Sequence, residues 1–374
     1  MAHGEDHTAD LTPMVPGLAV APRSGFGPRA DGSYHYRGSG LHDQPVDRNH
    51  GAVDRVPAPR TPETGRQKLS GRVWDAAWAA ARQLPGPLAF GLSDLGGRLA
   101  PRLGDNAMIR ANLSRVVPPG ELDLAVQGAF TSYARYYMEA FRASDIDPTW
   151  LDQRTTTGGF EHLDEVLDQG RGVIVLLAHH GSWDIAARWA ESHGYHLACV
   201  AEVLRPRRLF HRFVRMREQL GLEIVPLSRG HDITVRLRQV LAANHLVGLL
   251  SDRDLSGKAP LVDFFGEPAR IPAGPALLSK RTGTPIVPVT MLHRPHMRYH
   301  VQCLPAFDTT SLTPRGGVQR TAQALEDLIR LDPAQWHAFQ PIFEADRVAT
   351  PSFDTPQALD THQADSGTTV GEGR

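Results

Sequence analysis

Residues 172–184 read GVIVLLAHHGSWD: an aliphatic run ends on His179 and His180, breaks at Gly181, and resumes with Ser182, Trp183 and Asp184. A histidine followed five residues later by an aspartate, across a strand-to-helix turn, is a spacing that can move protons. The turn is expected to carry Asp184 back toward His179, where the carboxylate can accept a hydrogen bond from the imidazole Nδ1–H. That bond fixes the tautomer, leaves Nε2 as a base, and stabilises the imidazolium that forms when the base takes a proton. A plainer account exists for the same residues. Aspartate in a first helical turn is favoured by the helix dipole alone, and a strand-end histidine can simply be solvated.

No covalent nucleophile accompanies the pair. The chain has no G-x-S-x-G elbow, Ser182 reads as a helix N-cap, and Cys199 lies mid-strand, where a thiol packs as a small hydrophobe. The chemistry expected is therefore direct, with His179 removing a proton from an acceptor hydroxyl.

Two further groups of charges fall where a cleft is expected. Glu202 ends a strand. After it, the stretch RPRRLFHRFVRMREQLG reads as an amphipathic helix with Arg217 on the margin of its apolar face. A guanidinium there needs a partner, either a carboxylate or a ligand anion. Arg205, Arg207, Arg208, Arg212 and Arg215 read as a solvated face, because arginine supplies nearly all the cations of this chain; only Lys68, Lys258 and Lys280 are lysines. Farther on, Asp252, Arg253 and Asp254 follow the aliphatic run LVGLLS, and three charges just past a buried strand are read as functional.

The elements that must position these residues alternate. From about residue 155 the chain reads strand, helix, strand: strands over 172–178, 196–202, 222–227, 246–254, 285–292 and 297–304, and helices over 183–194, 205–221, 231–245 and 272–283. That rhythm predicts an α/β fold with a central parallel or mixed sheet flanked by helices, and ligands in such sheets lie beyond the carboxyl ends of the strands. Before it, residues 68–145 read as a helical layer. Leu122, Val126, Phe130, Tyr133, Tyr137 and Phe141 form one stripe, and Pro85 and Pro87 break a Trp-rich first helix. This layer is read as packing on the core; the other reading lays Trp74 and Trp78 flat in a membrane interface.

Composition sets the outer bounds. The 374 residues are 41% hydrophobic with a formal net charge of −1, which argues against bulk nucleic-acid binding. Residues 1–67, rich in Gly, Pro, His, Asp and Arg, and residues 348–374 read as disordered extensions, which leaves a folded unit over 68–347 with its α/β core at about 155–345. No secretory signal or membrane-spanning stretch is evident. Two cysteines give neither a disulfide framework nor a metal site, and the chain lacks H-x-H-x-D and H-E-x-x-H spacings, so a metal-dependent hydrolase is disfavoured. A non-catalytic lipid carrier is the other rival.

Taken together, the ordered stretches resemble one family, the bacterial phosphatidylinositol mannoside acyltransferases, within the superfamily of the lipid A late acyltransferases and glycerol-3-phosphate-acyltransferase-like folds. The likeness covers residues 71–343. It rests on the H-x4-D motif from His179 to Asp184, on AEVLRP and RFVRMREQLGLEIVPL, on SDRDLSGKAPLVDFFGEPARIPAGPALLSKRTGTPIVPV, on DPAQWHAFQPIF, and on ANLSRVVP and SYARYYMEAFR in the helical layer. The resemblance implies transfer of a fatty acyl chain from acyl-CoA, a co-substrate in an enzyme with no other cofactor and no metal, to a mannose hydroxyl. The expected acceptor is a phosphatidylinositol mannoside, with another lysolipid or glycolipid as the alternative. It further implies a peripheral protein at the cytoplasmic face of the membrane. Carried over by position, His179 is the general base and Asp184 its partner, while Glu202, Arg217, Asp252 and Arg253 bind substrate. Asp252 stands where the mannoside enzymes are expected to have Glu, and Asp is the familiar residue in the lipid A relatives.

Overall fold

Aliphatic runs without polar alternation demand burial on both faces, and in this chain they form the middle of a seven-stranded sheet. The computed structural model describes residues 65–202, 207–227, 233–254 and 256–349, together with a short antiparallel pair, β1 (Phe26–Pro28) and β2 (Tyr34–Tyr36). The large sheet contains β3 (Thr155–Gly158), β4 (Val173–Leu177), β5 (Leu197–Glu202), β6 (Glu223–Leu227), β7 (Leu246–Leu250), β10 (Ile286–Arg294) and β11 (Arg298–Cys303). Its order is β3-β11-β10-β4-β7-β5-β6. Every neighbouring pair is parallel except the hairpin of β10 and β11, so the sheet is mixed. A second hairpin, β8 (Leu261–Phe264) with β9 (Glu267–Arg270), stands apart.

Helices cover both faces. Before the sheet come α1 (Gly65–Gln83), α2 (Gly86–Leu103), α3 (Ala107–Leu113), α4 (Leu122–Arg142) and α5 (Pro148–Asp152). Within it come α6 (Glu161–Asp168), α7 (Trp183–Ser192), α8 (Arg207–Gln219), α9 (Ile233–Ala242) and α10 (Gly274–Thr282), and α11 (Pro314–Arg330) and α12 (Glu344–Ala349) follow. β4 shows the layering in miniature. Val173 and Val175 pack with Phe141, Ile185, Phe210 and Met291 on one face, whereas Ile174 and Leu176 pack with Leu237, Val318, Trp336 and Phe343 on the other. The period of two in a strand sends successive side chains into separate cores.

The helical layer packs as read, with one correction to its membrane alternative. Trp78 is buried, and its ring meets Phe141 at 4.7 Å and Phe213 at 5.2 Å, while Trp74 lies 5.4 Å from Tyr137. Trp78 belongs to the core, and the half-buried Trp74 packs against it. The exposed apolar stripe is on α2 instead, where Leu88, Leu92, Leu95, Leu99 and Leu103 follow one another at three- and four-residue steps. The buried face of α4 also differs from the aromatic stripe. It carries Ala125, Val126, Ala129, Ser132, Tyr136, Glu139, Ala140 and Phe141, three of them polar.

α11 and the β8–β9 hairpin had no counterpart in the sequence reading. The pair Gly316-Gly317 in the first turn of α11 argues against a helix. The turn holds because Pro314 opens it, the Thr313 side chain accepts from the Gly316 N–H, and Val318, Thr321, Ala322, Leu325, Leu328 and Ile329 are buried at helical spacing. Gly317 is small for a reason: a Cβ there would lie 3.3 Å from that of Ala276 on α10. At the margins, α1 begins at Gly65 and α12 ends at Ala349, so the described helices run slightly past both expected edges of the folded unit. Nearly all of the two extensions read as disordered lies outside the described residues.

Candidate active site

Adjacent parallel strands in register deliver equal offsets to the same place. β4 and β7 pair with Leu177 opposite Leu250, and the ladder continues with the Ser251 N–H donating to the Leu177 carbonyl. Two residues past each strand stand His179 and Asp252. Their side chains meet at 2.6 Å between Nδ1 and Oδ1. The Trp336 indole N–H donates to the other Asp252 oxygen at 3.0 Å, and Asp252 is fully buried while the His179 side chain keeps 16% exposure at its edge. Burial alone would raise the Asp252 carboxyl, but His179, Arg253 and the indole together hold it well below the usual carboxylate range. An ionised Asp252 must accept, so His179 carries its proton on Nδ1. Nε2 is then the unprotonated nitrogen, and Arg253 Nη2 donates to it at 2.8 Å. Burial pushes the His179 imidazole below its ordinary value; Asp252 works against this, and Arg253 and Arg217 add to it.

The backbone around His179 is tied down from three sides. Gly181 turns the chain with φ of +63°, and a Cβ there would lie 2.1 Å from the Met291 carbonyl oxygen, so only glycine fits. The His337 N–H donates to the His179 carbonyl at 2.8 Å, and a β-bridge joins His180 to Trp336. His180 is structural. Its ring spans Thr290 Oγ1 at 3.0 Å and the Asp332 carbonyl at 2.8 Å, which leaves no nitrogen to act as a base.

The partner assigned to His179 from spacing is therefore corrected. Asp184 lies buried in the first turn of α7 as expected, but its carboxylate turns away from His179. It takes two bonds from Arg217, Nε at 2.7 Å and Nη2 at 3.1 Å, and one from the Tyr136 hydroxyl at 2.9 Å. A helix turn rotates successive residues by about 100°, so five residues do not by themselves return a side chain to the strand end. Arg217 has thus found a carboxylate, one of the two partners its position demanded. Ser182 is corrected too. It occupies the N-cap position of α7 without capping, and its hydroxyl donates to Glu139.

Glu139 anchors a buried polar layer that sequence reading missed. Besides Ser182 it accepts from the Tyr299 hydroxyl at 2.8 Å and pairs with His293 Nε2 at 2.9 Å. Ser132 links His293 to His337 Nε2, which lies 2.9 Å from its hydroxyl. Against the opposing pull of burial, His293 and the donated hydrogen bonds hold the Glu139 carboxyl below its ordinary range. The available signal was Ser132, Tyr136 and Glu139 at helical spacing on the same face of α4 as Val126 and Ala129, which marks polar side chains with buried partners. Trp336 and His337 had no such signal.

The remaining expected residues divide. Glu202 ends β5 half-buried, and its carboxyl is raised by burial and partly restored by the nearby charge of Arg253. Asp254 is a loop-former: its side chain accepts from the Ser256 and Ala259 N–H groups rather than facing the site. Of the arginine run, Arg208 and Arg212 pair with Asp75 of α1, an acid from a distant element, and Arg205 lies outside the described residues. Burial pushes the Cys199 thiol up to about 12, which keeps it an unreactive thiol. Among the described residues no three His, Cys, Asp or Glu side chains converge to hold a metal ion. An open apolar groove of about 550 Å³, lined by Pro260, Leu261, Ala273, Leu277, Pro314, Arg315 and Val318, does not include His179.

A neutral histidine locked in one tautomer by a buried carboxylate, at the strand ends of a mixed α/β sheet, agrees with what the chain is similar to. The model of the bacterial lipid A biosynthesis acyltransferase family matches residues 72–345. The phosphatidylinositol mannoside acyltransferase of Mycolicibacterium smegmatis is 37% identical over 295 residues, covering 76% of this chain and 95% of that protein. The phosphatidylinositol mannoside acyltransferase of Mycobacterium tuberculosis is 39% identical over 282 residues, covering 72% of this chain and 87% of that protein. The chain belongs to the bacterial lipid A biosynthesis acyltransferase family and is an enzyme, an acyltransferase.

Proposed function

We propose that this protein moves a fatty acyl chain from acyl-CoA to a mannose hydroxyl of a phosphatidylinositol mannoside, with His179 as general base and Asp252 as the residue that positions it. One observation carries the mechanism: the 2.6 Å contact between His179 Nδ1 and a buried, ionised Asp252, which leaves Nε2 unprotonated at the site's edge. The acceptor hydroxyl gives its proton to Nε2 as its oxygen attacks the thioester carbonyl. The tetrahedral intermediate then expels the CoA thiolate, which takes the proton back from the imidazolium. Asp252 stabilises that imidazolium while it lasts. Asp252 in place of a longer Glu still reaches the imidazole, because the register of β4 and β7 brings the shorter side chain into contact.

The relatives' names support the acceptor class, and the chemistry of the molecule supports a surface location. No helix among the described residues is long and apolar enough to cross a membrane. The exposed leucine stripe of α2, flanked by exposed Arg98 and Arg102, suits a peripheral contact with anionic headgroups. The test is transfer of label from a long-chain acyl-CoA by the purified protein, offered phosphatidylinositol mannoside, lysophospholipid and lipid A precursor separately. Preferential labelling of the mannoside is expected. Labelling of another acceptor alone would replace the acceptor and keep the chemistry, and no product with any would dismiss the proposal.

A further inference from the structure

Arg253 occupies the position the acceptor hydroxyl needs. Both nitrogens of His179 are engaged in this structure, Nδ1 by Asp252 and Nε2 by Arg253 Nη2 at 2.8 Å. The lone pair that has to take a proton is therefore already bonded to a cation, and no hydroxyl can reach it while that bond stands. The guanidinium is also incompletely held. Its Nε is enclosed yet has no hydrogen-bond partner among the described residues. A second seat is close by: Glu202, half-buried at the end of β5, feels the charge of Arg253, and no hydrogen bond to its carboxylate is seen among the described residues.

We propose that Arg253 is a latch on the base. It caps Nε2 of His179 until the acceptor arrives, and it swings onto Glu202 when the acceptor hydroxyl takes its place. The proposal rests on the reading of His179 as base and adds what keeps that base idle. A closed latch keeps water from Nε2, so a bound thioester is not hydrolysed before the acceptor arrives. No covalent bond changes in the step; one charge-assisted hydrogen bond is exchanged for an ion pair, so the two positions can lie close in free energy. The charged and titratable groups around the imidazole are Asp252 and Arg253 beyond β7, Arg217 from α8 and His337 after α11.

Diethyl pyrocarbonate reads the latch directly, since it is attacked by an unprotonated, uncapped imidazole nitrogen and leaves a carbethoxy group on it. The ligand-free full-length protein is labelled at pH 8 and His179 is quantified by peptide mass spectrometry, with the exposed His296 as internal reference. Arg253→Gln is expected to raise His179 labelling about ten- to a hundredfold, the occupancy factor of a hydrogen bond to a charged group. It is also expected to raise acyl-CoA hydrolysis in the absence of acceptor. Glu202→Gln, which removes the second seat, should leave labelling at or below the wild-type rate and lower kcat with KM unchanged. Wild-type labelling in Arg253→Gln, or faster labelling in Glu202→Gln, would overturn the latch. Where Arg253→Gln does not fold, Arg253→Lys serves, because a single donor on a flexible stem caps Nε2 less well and should label at a rate above wild type. Labelling needs no turnover, so failure of the latch is separate from failure of the base, which turnover by His179→Ala would reveal.

Discussion

The two ends of the H-x4-D motif live in different electrostatic worlds. His179 pairs with a carboxylate 73 residues away and Asp184 with a guanidinium 33 residues away, and neither bonds to the other. At the histidine end the partners leave one nitrogen at the site's edge, under the Arg253 guanidinium. At the aspartate end every bond is spent inward: Arg217 and Tyr136 tie α7 to α8 and α4. Two residues so close in sequence need not form one chemical unit. The first keeps one ring nitrogen turned to the edge of the site, and the second ties down the helix that follows the turn between them.

Four measurements would break or sharpen that contrast. Replacing His179 by Ala removes the proposed proton acceptor, and kcat of the folded fraction should fall by about 10³–10⁴-fold, the upper range for general-base catalysis. Asp252→Asn keeps the shape but cannot hold the Nδ1–H tautomer or stabilise the imidazolium. A loss of about 10²-fold in kcat with little change in KM is expected. Asp184→Asn should act on the fold instead. It strands the Arg217 charge, costing about 3 kcal/mol, the low end for a broken buried pair because Arg217 keeps some exposure. The measured consequence is a lower Tm with a smaller kcat loss in the folded fraction than Asp252→Asn shows. Adding Arg217→Met to Asp184→Asn should recover part of the Tm, whereas an Asp184 acting on His179 would lose more.

The smallest effect is in pH. His179 is depressed below the ordinary imidazole value of about 6.5, and the base works only when neutral. Activity should therefore hold as pH falls through 6.5 and decline only below it, as the imidazole protonates. Removing the cation in Arg253→Gln should move this acid limb of kcat/KM to higher pH, and removing the anion in Asp252→Asn should move it lower. An acid limb that ignores both substitutions would mean that a different group limits the rate.

Local pattern was enough for the strands, because runs such as VIVLL and LVGLL have no polar face to expose and so announce burial on both sides. Gly181 at the turn and the strand-end placement of His179 and Asp252 were legible for the same reason. α11 was not, since its paired glycines read as a break until packing against α10 is seen. Glu139, Tyr136 and Ser182 were hidden differently: each looks like an ordinary polar residue, and only its partners show that it is buried.

The sequence by itself determined that a parallel or mixed α/β sheet would carry a histidine to the end of a buried strand, because hydrophobic period and turn chemistry are short-range properties. Which carboxylate meets that histidine was decided only by the pairing of β4 with β7. Strand neighbours are chosen by the packing of the whole sheet, and a hydrogen bond of 2.6 Å between residues 73 apart has no trace in local spacing.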